Sequence, residues 1–435
     1  MGTEHPPITT ATRAKVTAAA AIGGIVEYFD MYTASLVGAI VWPKIFFPSA
    51  SVASSLAFSI ASVGLSYVIR PVGGYIFGHV GDRIGRKDTM VITLMLVGVS
   101  MFFVGLLPTY STIGIAAPIL LFILRGIFGL GLGGEFGGAV SWILEFAATS
   151  KWRSFWAIWS SPTVIGTAIA GVVVSLLGET LKADFYTYGW RIPFIIGGVL
   201  IIIGFIARYR LQESPLFVAI KKKGEVEKAP ASGVLKKYWK TIFVIATITG
   251  AIQAGITSSL VTPYSVAYLS GKGLSFTFLT GAIALTNAIS LIAWIGGPYF
   301  CEKLGRKRHL LLSISWALIG VVIFLPLVNT LNLSMIVLAY LILEMQRSFN
   351  NAAIQAVCGE SFPTRYRVSG SGLSYQIGNG LFSGLQMSVL FPMIILYSSA
   401  ALAPVIIVLS IVIWLILALF SLRALKETKE ADLSQ

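Results

Sequence analysis

Apolar runs of about twenty residues recur along this chain from about residue 16 to residue 422, broken only by short polar or basic clusters. Two examples are "TMVITLMLVGVSMFFVGLL" at 89–107 and "PVIIVLSIVIWLILALFSL" at 404–422. A helix needs about 20 apolar residues to cross a hydrocarbon core of about 30 Å, so such repetition predicts an all-α integral membrane protein. Composition agrees. Charged residues make up 11% of the 435 residues, against about 25% in soluble domains, and the mean hydropathy is +0.84. Repeated spans leave no room for a soluble enzyme.

The runs divide into twelve transmembrane helices, at about 16–42, 52–78, 89–107, 113–148, 155–178, 190–209, 241–269, 276–300, 310–328, 332–358, 367–396 and 400–422. Lys and Arg collect in cytoplasmic loops, which tests the count. With a cytoplasmic N-terminus, 25 of the 32 fall in inner segments and their borders. Lys44, Lys182, Arg191 and Lys272 fall outside, and Arg70, Arg125 and Arg347 lie deep in spans. A single missed span would scramble this alternation. Both termini are therefore expected in the cytoplasm, in a multi-pass protein of the plasma membrane. The net charge of +14 is then topological, with some attraction to anionic lipid head groups, and not a nucleic-acid footprint.

The basic segment 210–240 divides the chain into two six-helix halves, 16–209 and 241–422, flanked by cytoplasmic ends at 1–15 and 423–435. The halves echo one another. "GDRIGRK" at 81–87 returns as "CEKLGRK" at 301–307, and "LEFAATSKWR" at 144–153 as "GESFPTRYR" at 359–367. Internal repeats of this kind mark secondary transporters, whose site lies between the halves near the midplane. The first apolar stretch carries Glu27 and Asp30, so it is not a removable signal peptide. Neither Cys301 and Cys358 nor the scattered His5, His79 and His309 make a metal-ligand set, and no cofactor is expected.

"RGIFGLGLGGEFGGAV" (125–140) contains G-x-G-x-x-G, the pattern of a dinucleotide-binding turn. That turn requires a preceding strand, and here the motif lies inside a span. Gly129, Gly133 and Gly137 recur every four residues, as do Gly134 and Gly138, the spacing that lets helix backbones approach closely. In the loops, Asp82, Arg83 and Arg86 with Glu145 and Arg153 form a candidate cytoplasmic gate through charge-assisted hydrogen bonds. Glu302, Arg306, Glu360 and Arg365 or Arg367 form its counterpart in the second half.

These loops resemble the signatures of the major facilitator superfamily. Within it, "GGIVEYFDMY", "IRPVGGYIFGHVGDRIGRK", "RGIFGLGLGGEFGGA" and "GWRIPF" are similar to the metabolite:proton symporters, carriers of shikimate, 2-oxoglutarate, citrate and proline/betaine. The resemblance covers about residues 15–425. It implies a twelve-helix rocker carrying a small metabolite with protons. Tyr28 and Phe136 stand where that family more often has Trp, and Glu302 stands where the first repeat has Asp82. "EMQRSFNN" matches no family pattern.

Ionisable residues inside spans cost about 2.5–3.5 kcal/mol each and are functional candidates. Away from span ends there are seven: Glu27, Asp30, Arg70, Arg125, Glu135, Glu344 and Arg347. Four carboxylates against three guanidiniums leave an odd negative charge that one proton would balance. At 1.5 Å of rise per residue, Arg70 lies ~18 Å and Glu135 ~15 Å above the gate. The expected groups are Asp30 with Arg125, and Arg70 with Glu27 and Glu135. The resemblance to proton-coupled sugar carriers, whose coupling pair is an Asp in span 1 and an Arg in span 4, points to Asp30 as proton acceptor, with Glu135 second.

Candidate substrate contacts are Gln253, Tyr264, Asn287, Asn350, Asn351, Gln355, Tyr375, Gln376 and Asn379, with Arg347 as a fork for a carboxylate. Tyr28, Phe136 and Tyr264 offer instead an aromatic box for a quaternary ammonium. The expected activity is proton-coupled symport of a small organic-acid or zwitterionic metabolite by a monomer in the bilayer. A sugar- or polyol-type carrier, an exporter and a transporter-like sensor are the alternatives.

Overall fold

The computed structural model describes residues 9–48, 51–209, 212–254, 260–261, 265–397 and 402–433. Among these, nine helices are long and apolar enough to cross a membrane. They are α2 (Val52–Arg83), α3 (Arg86–Leu106), α4 (Ala116–Phe146), α5 (Arg153–Leu181), α6 (Phe185–Tyr209), α8 (Phe276–Leu304), α9 (Arg306–Val328), α11 (Thr364–Ile394) and α12 (Ala403–Ala424). Three further long helices are α1 (Thr10–Ile40), α7 (Pro230–Thr249) and α10 (Leu333–Glu360). They fall short of that measure because they carry charge along their length: Glu27 and Asp30 in α1, three lysines in α7, and Glu344 and Arg347 in α10. Four of the seven interior ionisable residues, Glu27, Asp30, Glu344 and Arg347, thus sit on helices that hydropathy alone underrates.

Helices, rather than a mixture of elements, follow from the solvent: in lipid each backbone N–H and C=O must be satisfied within its own segment. Where chain ends meet water, side chains cap them. Thr9 accepts from the Thr12 N–H at the start of α1, and Asn332 from Ser334 and Met335 at the start of α10. The α2–α3 and α8–α9 reversals take two residues and one residue. Gly85 and Gly305 turn the chain there at φ 143° and 84°, a region closed to most side chains. They are the same glycine of the repeated G-R-K motif, and the end of the bundle they mark is termed the GRK end below.

α3 packs on α4 and α6, α2 on α4, and α1 on α5 and α6; α8 and α9 pack on α10, α7 on α11 and α12, and α9 on α12. Contacts between these sets run through α5 with α8 and through α2 and α4 with α11. The glycines of α4 make the second junction possible. A Cβ on Gly133 would stand 2.6 Å from the Gly73 Cα of α2, and one on Gly137 2.6 Å from the Val368 carbonyl of α11. Real Cβ atoms do not approach so closely. The G-x-G-x-x-G stretch lies within a continuous helix, where Gly129 and Gly131 meet the backbone of Ser66 and Thr93 and Gly134 meets the Phe77 side chain.

Candidate functional site

The ionisable residues of the interior occur as pairs. The Arg125 Nη2 donates to Asp30 Oδ2 at 2.8 Å, with both side chains fully buried. Phe128 stacks under the guanidinium with its centroid 4.3 Å away. Asp30 Oδ1, Arg125 Nε and Arg125 Nη1 are buried with no hydrogen-bond partner among the described residues. One helical turn away, Arg70 stands 3.5 Å from Glu27 and 4.6 Å above the Tyr67 ring.

Glu135 does not join Arg70 and Glu27. Its carboxylate holds Arg208, which comes from the end of α6, and accepts from Thr93 Oγ1 at 3.0 Å. Arg208 also donates to the carbonyls of Ala19, Ala20 and Met90 at 3.0–3.2 Å. This guanidinium therefore ties α6 to α1, α3 and α4. It also changes the charge count. With Arg208 included, Glu27, Asp30, Glu135 and Glu344 face Arg70, Arg125, Arg208 and Arg347, four against four, and the odd charge expected from sequence does not exist. Arg208 lies too near a span end for its burial to show in the sequence.

In the other set of helices, Arg347 donates from Nε (2.9 Å) and Nη2 (2.6 Å) to Glu344 Oε2, and from Nη2 to Asn287 Oδ1 at 2.8 Å. It reaches toward Thr167 of α5 at 3.4 Å and lies 5.6 Å from the centroid of Tyr32 on α1. Tyr32 in turn donates to Glu344 at 3.4 Å. The pair thus faces the first set of helices across the junction.

A polar and aromatic bridge also crosses this junction. The Tyr28 hydroxyl meets Ser161 at 2.8 Å and the Tyr375 hydroxyl at 3.0 Å, and Phe136 stacks on Tyr375 at 3.7 Å. Asn351 donates to the Ser161 carbonyl and Gln355 to Asn351, both at 2.7 Å. Gln376 donates to the Leu132 carbonyl and Asn379 to that of Tyr375, both at 2.9 Å. Asn350 is buried on the same helix as Asn351. The Gln253 side chain and Tyr264 lie outside the described residues.

At the GRK end the expected gate residues meet in two related clusters. Glu145 accepts from Arg86 at 3.1 and 3.3 Å and from Arg367 at 3.0 Å. Glu360 accepts from Arg306 at 2.9 and 3.1 Å and forms an ion pair with Arg153 at 3.2 Å. Each cluster thus borrows one arginine from the other half of the chain. Asp82 accepts from the Val368 and Ser369 N–H groups at 3.1 and 2.8 Å, and Glu302 from Ser154 N–H and Oγ at 2.8 and 2.7 Å. Carboxylates at helix N-termini are favoured there by orphan N–H donors and the helix dipole. Arg83 and Arg365 take no part: both are exposed, outside every ion pair among the described residues.

Sequence reasoning passed over a further pair of acidic–hydroxyl dipeptides. Ser214 Oγ donates to Glu145, and its neighbour Glu213 accepts from the Lys87 N–H at 3.2 Å. Thr428 Oγ1 donates to Glu360 at 2.8 Å, and Glu427 accepts from Arg306 and Lys307 N–H at 3.0 and 3.1 Å. The two dipeptides stand 214 positions apart (213 to 427), close to the offset of the other repeats, and that was the available signal. Beyond Glu427 the tail crosses the cluster. Arg153 donates to the Lys429 and Ala431 carbonyls, and Arg367 (2.8 Å) and Thr364 (3.1 Å) donate to that of Leu433.

The sequence profile of the Major Facilitator Superfamily matches residues 20–387. The chain belongs to this superfamily. The inner membrane metabolite transport protein YhjE of Escherichia coli is 33% identical over 394 residues, 86% of each chain. The E. coli proline/betaine transporter is 29% identical, covering 83% of this chain and 74% of its own, and the E. coli shikimate transporter 29%, covering 83% of each. Superposition on a D-xylose–proton symporter gives a TM-score of 0.69 at 18% identity over 96% of this chain and 98% of that one. The partially occluded inward open xylose transporter XylE from E. coli gives 0.70 at 18% over 97% and 99%. Like these superfamily members, the protein is a multi-pass transporter of the cell membrane and not an enzyme.

Proposed function

We propose that the protein is a proton-coupled symporter of a small organic-acid or zwitterionic metabolite, working by alternating access. α1, α7 and α10 would complete twelve spans with the nine apolar helices, as two bundles, 16–209 and 241–422, joined by a cytoplasmic linker at 210–240. The lysine- and arginine-rich GRK end would face the cytoplasm with both termini. It would work as a monomer, with protons as coupling ion and no cofactor.

The observation that carries the coupling is Asp30. One of its oxygens is engaged by Arg125, and the other is buried without a donor. A buried acceptor left unsatisfied costs about 1–3 kcal/mol, and protonation of Oδ1 would convert it into an O–H that donates to a new partner in the next conformation. Since the interior charges balance four to four, the proton is not needed to neutralise the resting site. It is needed when Arg125 and Asp30 part, or when a substrate carboxylate arrives at Arg347 in competition with Glu344. A substrate with both carboxylate and cationic groups would find partners on both members of that pair, which fits relatives named for proline/betaine, and a carboxylate without a cation would use Arg347 alone, which fits a relative named for shikimate.

The test is uptake into proteoliposomes. Asp30→Asn should lose stimulation by an imposed pH gradient while retaining substrate exchange across the membrane. Uptake by that variant that still rose fully with the gradient would refute Asp30 as the coupling group.

A further inference from the structure

Among the described arginines, the guanidiniums of Arg83, Arg308, Arg365 and Arg423 make neither an ion pair nor a hydrogen bond to the rest of the protein, and that of Arg423 lies 5.3 Å from the centroid of the Phe420 ring. Two of these four share one groove. A cavity of about 650 Å³ lies between the start of α9 and the end of α12, lined by Lys307, Arg308, Leu311, Leu419, Leu422 and Arg423. No carboxylate lines it. Glu427, the nearest acid in sequence, already accepts from four backbone N–H groups, those of Arg306, Lys307, Thr428 and Lys429. Lys307 Nζ caps the last turn of α12, donating to the Arg423 and Leu425 carbonyls at 3.1 Å each, and so joins Arg308 and Arg423 in the lining of the groove.

Both bordering helices are long enough to cross the bilayer and end here, so the groove lies at a membrane boundary. Its cationic rim is at the helix ends. Its floor runs toward the apolar part of the helices, with Leu311 46% and Phe420 59% exposed beside it. A positive rim above an apolar floor open to the side matches a phosphodiester head group with its acyl chain.

The internal repeat argues that this groove is not a by-product of the G-R-K motif. Adding the 220-residue offset, Arg308 corresponds to Asp88. By the 214-residue offset, Arg423 corresponds to Tyr209. The same place in the first half therefore has an acid and an aromatic ring, with Lys87 resting on that ring at 5.5 Å. Only the second half gathers three cations.

We infer that this groove is a binding site for one anionic phospholipid, its phosphate held by Lys307, Arg308 and Arg423 and an acyl chain laid over Leu311, Leu419 and Phe420. This does not rest on the transport reading. Each cation near an anionic membrane surface contributes enough that losing both arginines predicts a loss of affinity of roughly thirtyfold.

The test uses the full chain purified in detergent, with phosphatidylglycerol or phosphatidylcholine titrated in. Retained lipid is read by native mass spectrometry and thermal stability by unfolding. The native protein should keep one phosphatidylglycerol and gain stability selectively from it. Arg308→Gln/Arg423→Gln should lose both effects, as should Arg308→Asp/Arg423→Tyr, which recreates the first-half arrangement. Lys221→Gln/Lys222→Gln, an equal charge loss on the exposed helix Pro215–Lys222, should lose neither. The proposal is overturned if phosphatidylcholine serves equally, if either arginine variant keeps its selectivity, or if the lysine control loses it. Equal stabilisation by glycerol phosphate alone would also overturn it, since the acyl chain would then play no part.

Discussion

Glu145 is the single carboxylate that holds Arg86 of one half and Arg367 of the other, and all three side chains are fully buried. Glu145→Gln preserves its shape and removes its charge. Two guanidiniums then remain, with Asp82, 3.4 Å from Arg86, as their one ion-pair partner among the described residues. An uncompensated buried charge costs about 3–5 kcal/mol, and 1.4 kcal/mol is a factor of ten. The closed GRK end should therefore lose roughly two to three orders of magnitude in population relative to a state in which water reaches the arginines. Ser371 lies behind the cluster, fully buried and 3.5 Å from Ser141 of the facing half. With Cys301 and Cys358, both buried, changed to Ala, a Ser371→Cys probe reacts with a polar maleimide only when that end opens. Its labelling should accelerate strongly in the Glu145→Gln background. An acceleration below about fivefold is what a solvent-screened pair would give. That result would refute the claim that these charges hold the end closed.

Gly137→Ala should act in the same direction by sterics, since its Cβ would lie 2.6 Å from the Val368 carbonyl; overpacking costs about 1–3 kcal/mol, so labelling should rise while far-UV circular dichroism stays unchanged. Arg347→Ala should weaken binding of the transported metabolite at least tenfold by calorimetry, because a charge-assisted bond is worth about 1.5–3 kcal/mol. The tail should be sensitive to acid. Burial raises the Glu427 carboxyl, but its four backbone N–H donors outweigh this and hold it below its ordinary value of 4.5. Its contribution to docking is therefore fully present above pH 4.5 and is lost as the pH falls through the lowered value. A spin label at the exposed Glu430 should stay immobile from neutral pH to 4.5 and loosen below it, and Glu427→Gln should loosen it at neutral pH.

Membrane insertion, the helical backbone, the pairing of repeated loops and the grouping of Asp82, Arg86 and Glu145 in one charged cluster and of Glu302, Arg306 and Glu360 in its counterpart were legible in the sequence. Each depends on local composition or on spacing along the chain, which a lipid solvent converts directly into helices and depth. The close-packing glycines of α4 were legible for the same reason. Rise along a helix gives depth, yet it leaves open which way a side chain points and which helix stands opposite. Tertiary structure alone decided that Glu135 belongs to Arg208 rather than Arg70, which removed the expected charge imbalance. It likewise decided that Arg86 turns inward while Arg83, three residues earlier, meets solvent. The tail and the segment before Pro215 joined these charged clusters through Glu427–Thr428 and Glu213–Ser214, whose polar composition resembles any exposed loop. Charges buried in an apolar medium take the partner that three-dimensional packing brings within about 3 Å, and that choice has no periodic trace in the chain.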